Sequence, residues 1–138
     1  MEGNVVGVTQ PFDKTQQVLI VDDNTDNCFC LGFAMKAWNV ETTAALSGQI
    51  ALVKIKEQKF DFILMDMRMP GLSGNETIAI IKSDKSFDCA PIIAVTAQAM
   101  PGDREKCLAN GADEYISKPI NLEELRSVME NLSMVPAF

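Results

Sequence analysis

A chain of 138 residues, 47% hydrophobic and 22% charged, has the make-up of one globular domain that can bury a core without disulfides or structural metal. Its net charge of −7 repels polyphosphate backbones and argues against direct nucleic-acid binding. No apolar run approaches the ~18 residues that cross a bilayer, and the first ten residues lack the basic start and apolar middle of a signal peptide, so the cytosol is the expected compartment. Histidine is absent, which removes Ser-His-Asp and Cys-His catalysis and histidine metal sites. Cys28, Cys30, Cys89 and Cys107 show no zinc-type spacing and read as free thiols.

Residues 1–16 mix Gly, Asn, Thr, Gln and one Pro without a period, and read as a flexible leader before a domain over 17–133 and a tail over 134–138. Val18–Val21 reads as a buried parallel strand that ends in Asp22, Asp23 and Asn24. Cys28, Leu31, Met35 and Trp38 then recur at helical spacing over 25–38. Val40–Ala44 is a second strand. Ser47 can cap a helix to about Gln58, with Ile50, Val53 and Glu57 one turn apart. Phe60–Met65 is a third strand, closed by Asp66. Pro70, Gly71, Ser73 and Gly74 make Arg68–Asn75 a loop, followed by a short helix over Glu76–Lys82. Ile92–Thr96 is a fourth strand, and residues 99–109 a helix that Gly111 ends in a left-handed conformation. Asp113–Ser117 is a fifth strand, followed by Lys118 and Pro119. Asn121 and Glu124 form a capping box for a last helix with a stripe of Leu122, Leu125, Val128, Met129 and Leu132. Five strands alternating with five helices predict an α/β domain with a parallel sheet.

Ligands of such sheets bind outside the carboxyl ends of the strands. Asp22 and Asp23 end the first strand, Asp66 the third, Thr96 the fourth and Lys118 the fifth. Singly, each has an ordinary reading: turn former, helix cap, strand end or solvated charge. Together they place three acids, one hydroxyl and one amine on one edge. Carboxylates brought close raise one another's pKa, and a divalent cation relieves the repulsion. An oxygen-only ligand set selects a hard ion such as Mg²⁺, which favours sites that also receive phosphate oxygens. A carboxylate can itself accept a phosphoryl group, with metal, amine and hydroxyl neutralising its oxygens.

With VLIVDDN at 18–24, ILMDMRMPGLSG at 63–74, PIIAVTA at 91–97 and EYISKPI at 114–120, the chain resembles the receiver domain family of response regulators over roughly 17–132. In wording it is similar to single-domain regulators and to receivers of hybrid histidine kinases. The resemblance implies a doubly wound, flavodoxin-like (βα)5 fold with Asp66 as the phosphorylated residue. It implies direct Mg²⁺ ligation by Asp23, water-mediated help from Asp22, and a further ligand in the backbone carbonyl of Arg68. Thr96 would hydrogen-bond the phosphoryl group and Lys118 pair with it, aimed into the site by a cis Lys118–Pro119 peptide. Tyr115 occupies the aromatic switch position, expected to turn inward as Thr96 moves toward the phosphate. Arg68 departs from the smaller or neutral residues common there; contact with the phosphoryl group, shielding from water and pairing with an acid all remain open.

The implied partners are a sensor histidine kinase or histidine phosphotransfer protein and a downstream protein target, with no direct nucleic-acid binding and no membrane insertion. A monomer and a phosphorylation-dependent dimer are both compatible, as are a stand-alone regulator and a hybrid-kinase receiver that relays its phosphate. A phosphate-independent pseudo-receiver is argued against by the complete set Asp22, Asp23, Asp66, Thr96 and Lys118. A dehalogenase-like phosphatase needs an acid where Arg68 stands. A nucleotide- or flavin-binding domain needs a glycine-rich phosphate loop, which follows none of the strands. Beyond slow self-phosphorylation and autodephosphorylation, no enzymatic turnover is expected.

Overall fold

Runs of Val, Ile, Leu, Phe and Met alternate with capped amphipathic segments, and each run becomes a strand of one sheet. In the computed structural model, which describes residues 10–87, 90–97 and 100–133, the strands are β1 (Gln16–Val21), β2 (Val40–Ala45), β3 (Phe62–Asp66), β4 (Ile92–Thr96) and β5 (Glu114–Ser117). The helices are α1 (Thr25–Met35), α2 (Gly48–Glu57), α3 (Gly74–Ser83), α4 (Asp103–Ala109) and α5 (Leu122–Ser133). All pairings are parallel, in the order β2-β1-β3-β4-β5.

Because side chains alternate across a strand, each strand feeds two cores. Val18, Ile20, Phe62, Leu64, Ile93, Val95 and Ile116 face α1 and α5, meeting Cys28, Met35, Trp38, Leu125 and Met129. Leu19, Val21, Ile63, Met65, Ile92 and Ala94 face the other way, onto Ala51 and Ile55 of α2, Ile78 and Ile81 of α3, and Cys107 of α4. The expected doubly wound sheet is therefore the one that forms.

Several boundaries differ from the sequence reading. The helix expected over 25–38 is α-helical only to Met35. A 3-10 turn at Lys36–Trp38 follows, and Asn39 closes it at φ 64°. On α2, Ser47 caps as expected, accepting from the Ile50 amide. Ile50 and Val53, however, are 44% and 55% exposed, while Gly48, Ala51 and Ile55 face inward. At Gly48 the helix lies so near Thr77 and Leu72 that a Cβ would clash with Thr77 Oγ1. The third helix begins at Gly74 rather than Glu76, because Ser73 and Glu76 make a full capping box. The fourth begins at Asp103. Met100–Gly102 precede it as a turn, with Gly102 at φ 89° and the Met100 amide donating to Asp103 Oδ2. Gly111 does take a positive φ, 119°. Asn121 Oδ1 accepts from the Glu124 amide, one arm of the expected box. Leu122, placed in the α5 stripe, is 41% exposed.

Among the described residues, hydrogen bonds to the domain begin at Phe12, inside the expected leader. Its amide donates to the Trp38 carbonyl (2.9 Å), and its carbonyl accepts from Asn39 Nδ2 (3.0 Å). Residues 1–9, Cys89, the expected helix start at 99 and the tail 134–138 lie outside the described residues. Cys28 and Cys107 are buried free thiols, and Cys30 is exposed. No helix among the described residues is long and apolar enough to cross a membrane.

Candidate functional site

β1 and β3 are neighbours in the sheet, yet the helices that follow them lie on opposite faces, so a crevice opens between their carboxyl ends. The register sets what stands there. Val21 pairs with Met65, Asp66 with Val95, and Thr96 with Ser117. The next residues on each strand, Asp22 and Lys118, therefore fall on the same edge as Asp66 and Thr96.

Asp22 is buried and tied down. Its Oδ1 accepts from the Asn24 amide (2.9 Å), and its Oδ2 from Asn27 Nδ2 and Lys118 Nζ, both at 3.2 Å. Asn24 in turn caps α1, its side chain accepting from the Asn27 amide (3.0 Å). Asp66 is also buried. Its Oδ1 accepts from the Arg68 amide (3.1 Å), and its Oδ2 lies 3.4 Å from Lys118 Nζ. Asp23 is exposed at the rim. One oxygen from each of Asp22, Asp23 and Asp66 can be chosen so that all lie within 4.8 Å of one another. Thr96, 5% exposed, ends β4, and Lys118 leads into a cis peptide with Pro119. All five side chains expected on this edge are brought there.

Gly74 makes the loop after Asp66 possible. A Cβ at Gly74 would stand 2.5 Å from the Asp66 carbonyl oxygen and 2.7 Å from Met67 Cα, so only glycine lets α3 start beside the strand end. Gly74 falls in the stretch that reads as a loop, and its spacing gives no sign of this role. Nor does spacing mark Asn27, whose side-chain amide orients Asp22. An asparagine in a first helical turn is too common for its spacing alone to mark it.

The electrostatics follow from burial and from three acids facing one amine. Desolvation raises the Asp66 pKa above the ordinary carboxylate value; the Arg68 amide and Lys118 oppose this, and Asp22 adds to it. Burial alone would lower the Lys118 pKa, but Asp66 and Asp22 outweigh it and hold the ammonium above its usual value. Cys28, whose thiol donates to the Asp22 carbonyl (3.5 Å), is pushed up to about 11, chiefly by burial and then by Asp22. It is an inert thiol at neutral pH. The acids keep an excess of negative charge over the single ammonium, with oxygen donors alone. That is the donor set of a hard divalent cation.

Beside the acids lies a cavity of about 270 Å³ lined by Arg68, Asn75, Thr96, Met100, Lys106 and Tyr115, among others. The Tyr115 hydroxyl is buried and has no hydrogen-bond partner among the described residues. Tyr115 and Thr96 thus share one space, with a polar group left unsatisfied in it.

Comparison with known proteins agrees with this geometry. Residues 18–130 match the response regulator receiver domain family. The polar-differentiation response regulator DivK of Brucella ovis is 41% identical over 108 residues, covering 78% of this chain and 88% of DivK. The hybrid signal transduction histidine kinase I of Dictyostelium discoideum is 40% identical over 121 residues, 83% of this chain. The sensor protein GacS of Pseudomonas syringae is 31% identical over 119 residues, 84% of this chain. The chain spans only 7% and 13% of the length of those two proteins. Among solved structures, the receiver domain of a Pseudomonas aeruginosa sensor histidine kinase, with magnesium coordinated in its active-site cleft, superposes with a TM-score of 0.76 at 33% identity. That match covers 85% of this chain and 96% of the other. A Saccharomyces cerevisiae response regulator receiver, crystallised with a histidine phosphotransfer protein, gives 0.78 at 31% identity over 91% and 93% of the two chains. The acid edge, the strand order and the motif spacing thus converge with these likenesses, and the chain belongs to the response regulator receiver domain family.

Proposed function

We propose that Asp66 accepts a phosphoryl group from a phosphohistidine of a sensor kinase or phosphotransfer protein, and that its modification switches a protein-binding surface. The observation that carries this reading is the Lys118 ammonium lying 3.2 and 3.4 Å from the buried Asp22 and Asp66 carboxylates on an edge that also holds Asp23. In the transfer, an Asp66 Oδ attacks phosphorus, an O–P bond forms, and the P–N bond to the donor imidazole breaks, leaving the donor histidine. Asp66 is held for this by the Arg68 amide on Oδ1, which leaves Oδ2 toward Lys118. Lys118 stabilises negative charge on the transferring oxygens, and the Thr96 hydroxyl donates to one of them.

Asp22, Asp23 and Asp66, with the Arg68 carbonyl, are the residues that would hold Mg²⁺; when bound it neutralises the acid cluster and the phosphoryl oxygens. The structure of the Pseudomonas aeruginosa kinase receiver, with magnesium in its cleft, supports that assignment. Tyr115 and Thr96 lining one cavity supports them as the switch pair. The unsatisfied Tyr115 hydroxyl gives the ring a reason to leave its present seat. A functional unit over 17–133 with residues 12–16 packed against it, a cytosolic site of action and at most slow self-phosphorylation and autodephosphorylation complete the reading. The yeast receiver crystallised with a phosphotransfer protein favours relay to or from such a partner. Similarity to both DivK and hybrid kinases leaves a stand-alone switch and a relay module as two settings of one chemistry.

The test is mass spectrometry after incubation with acetyl phosphate, with and without Mg²⁺. The wild type should gain one phosphoryl group only with Mg²⁺, and Asp66→Asn none. Failure of the wild type to gain the group, together with failure to bind beryllofluoride, would make the chain a pseudo-receiver.

A further inference from the structure

At the amino ends of the strands, opposite the acid edge, residues 10–15 cross the corner between α1 and β2. Three hydrogen bonds bind them there. The Phe12 amide donates to the Trp38 carbonyl, Asn39 Nδ2 to the Phe12 carbonyl, and Thr15 Oγ1 to Asn39 Oδ1 (3.0 Å). Phe12 is the one residue of the six that is not exposed. Its ring lies on the guanidinium of Arg126 from α5, 3.9 Å from the guanidinium carbon to the ring centroid, and the Trp38 ring lies 5.6 Å from the same carbon.

Arg126 is an unusual residue for this place. It is 7% exposed on the inner side of α5, beside Leu125 and Met129. Its Nε donates to Glu130 Oε2 (2.9 Å), but its Nη1 is buried with no partner among the described residues. The core does not require a cation there, and an aliphatic side chain would pack without leaving a polar atom unsatisfied. What the guanidinium adds is attraction to two aromatic faces, one of them the half-buried Phe12 of a segment whose other residues are exposed. The closed arrangement gains the Phe12 contact and loses hydration of Nη1. An open arrangement would lose the first and regain the second. The two effects are of comparable size.

We propose that residues 10–15 are a displaceable strap, closed by Phe12 over Arg126, that holds α5 against the α1–β2 corner. Opening it uncovers an aromatic-walled cationic pocket and loosens α5.

Trp38 is the only tryptophan, so its fluorescence reports the strap directly. The full chain carrying Phe12→Ala should show acrylamide quenching of Trp38 increased about twofold, and amide exchange over 125–130 accelerated about tenfold, with α3 exchange unchanged. Phe12→Tyr keeps the ring and should behave as wild type. Arg126→Lys keeps the charge without the planar fork and should behave as Phe12→Ala. Wild-type quenching and α5 exchange in Phe12→Ala would overturn the strap. So would an equal acceleration in α3, which would mean global destabilisation, or wild-type behaviour of Arg126→Lys.

Discussion

At the scale of single residues, the site runs on one imbalance: three carboxylates and one amine. Asp66 has a folded pKa above its unfolded value, so its contribution to stability is present below the unfolded pKa, about 3.8, and is lost as pH rises through the folded pKa. At neutral pH its charged form is therefore a burden on the fold. Asp66→Asn should raise Tm by roughly 2–4 °C at pH 7, a gain that shrinks as the buffer is taken below the folded pKa of Asp66. A melt series from pH 7 to pH 3 checks this; a variant less stable than wild type at pH 7 would contradict it. Lys118 carries the opposite role. Its raised pKa makes its stabilising charge present at neutral pH and lost only as pH rises through the folded value. Lys118→Met should slow phosphoryl gain from acetyl phosphate about 100-fold while leaving the fold intact. These assignments were legible in the sequence because each acid, the hydroxyl and the amine stands at the end of an apolar run. Asn27, which holds Asp22 through space, was not, since nothing in its spacing separates it from a surface asparagine.

At the scale of elements, helix starts carry the information that the motifs do not. Ser73 and Glu76 close a two-armed capping box on α3, and losing the cap in Ser73→Ala should cost about 1 kcal/mol in urea unfolding. Gly74 is more demanding, because its missing Cβ is what lets α3 begin beside Asp66. Gly74→Ala should destabilise by roughly 1–3 kcal/mol and also lower Mg²⁺ affinity, since the backbone must move where Asp66 is held. Retained Mg²⁺ affinity would separate the glycine from the site. On α2, by contrast, Ile50 and Val53 are turned outward, and Ile50→Lys should stay within about 0.5 kcal/mol of wild type. Spacing on α2 points to the larger apolar residues Ile50 and Val53. In the fold Gly48, Ala51 and Ile55 face inward instead, and at Gly48 Leu72 and Thr77 leave no room for a side chain.

At the scale of the whole molecule, the proposed Mg²⁺ site at the acid edge would couple ion binding to stability. With free Mg²⁺ at about 100 times its dissociation constant, the wild type should gain ~2.7 kcal/mol, a gain that falls as protons compete for Asp66 at low pH. A Tm indifferent to Mg²⁺ would count against ligation by Asp22, Asp23 and Asp66. The sequence by itself determined the class of fold, the order of strands and helices, and the five polar side chains at the strand ends. Apolar runs, capping residues and turn formers act locally, and local forces are written in adjacent residues. Only the tertiary structure decided that Phe12 belongs to the domain, that Arg126 lies beneath it, that Gly48 and Ala51 face inward, and how close the three carboxylates come. Those outcomes depend on which surfaces meet when residues far apart in the chain share one core, and burial, desolvation and close approach exist only once they have met.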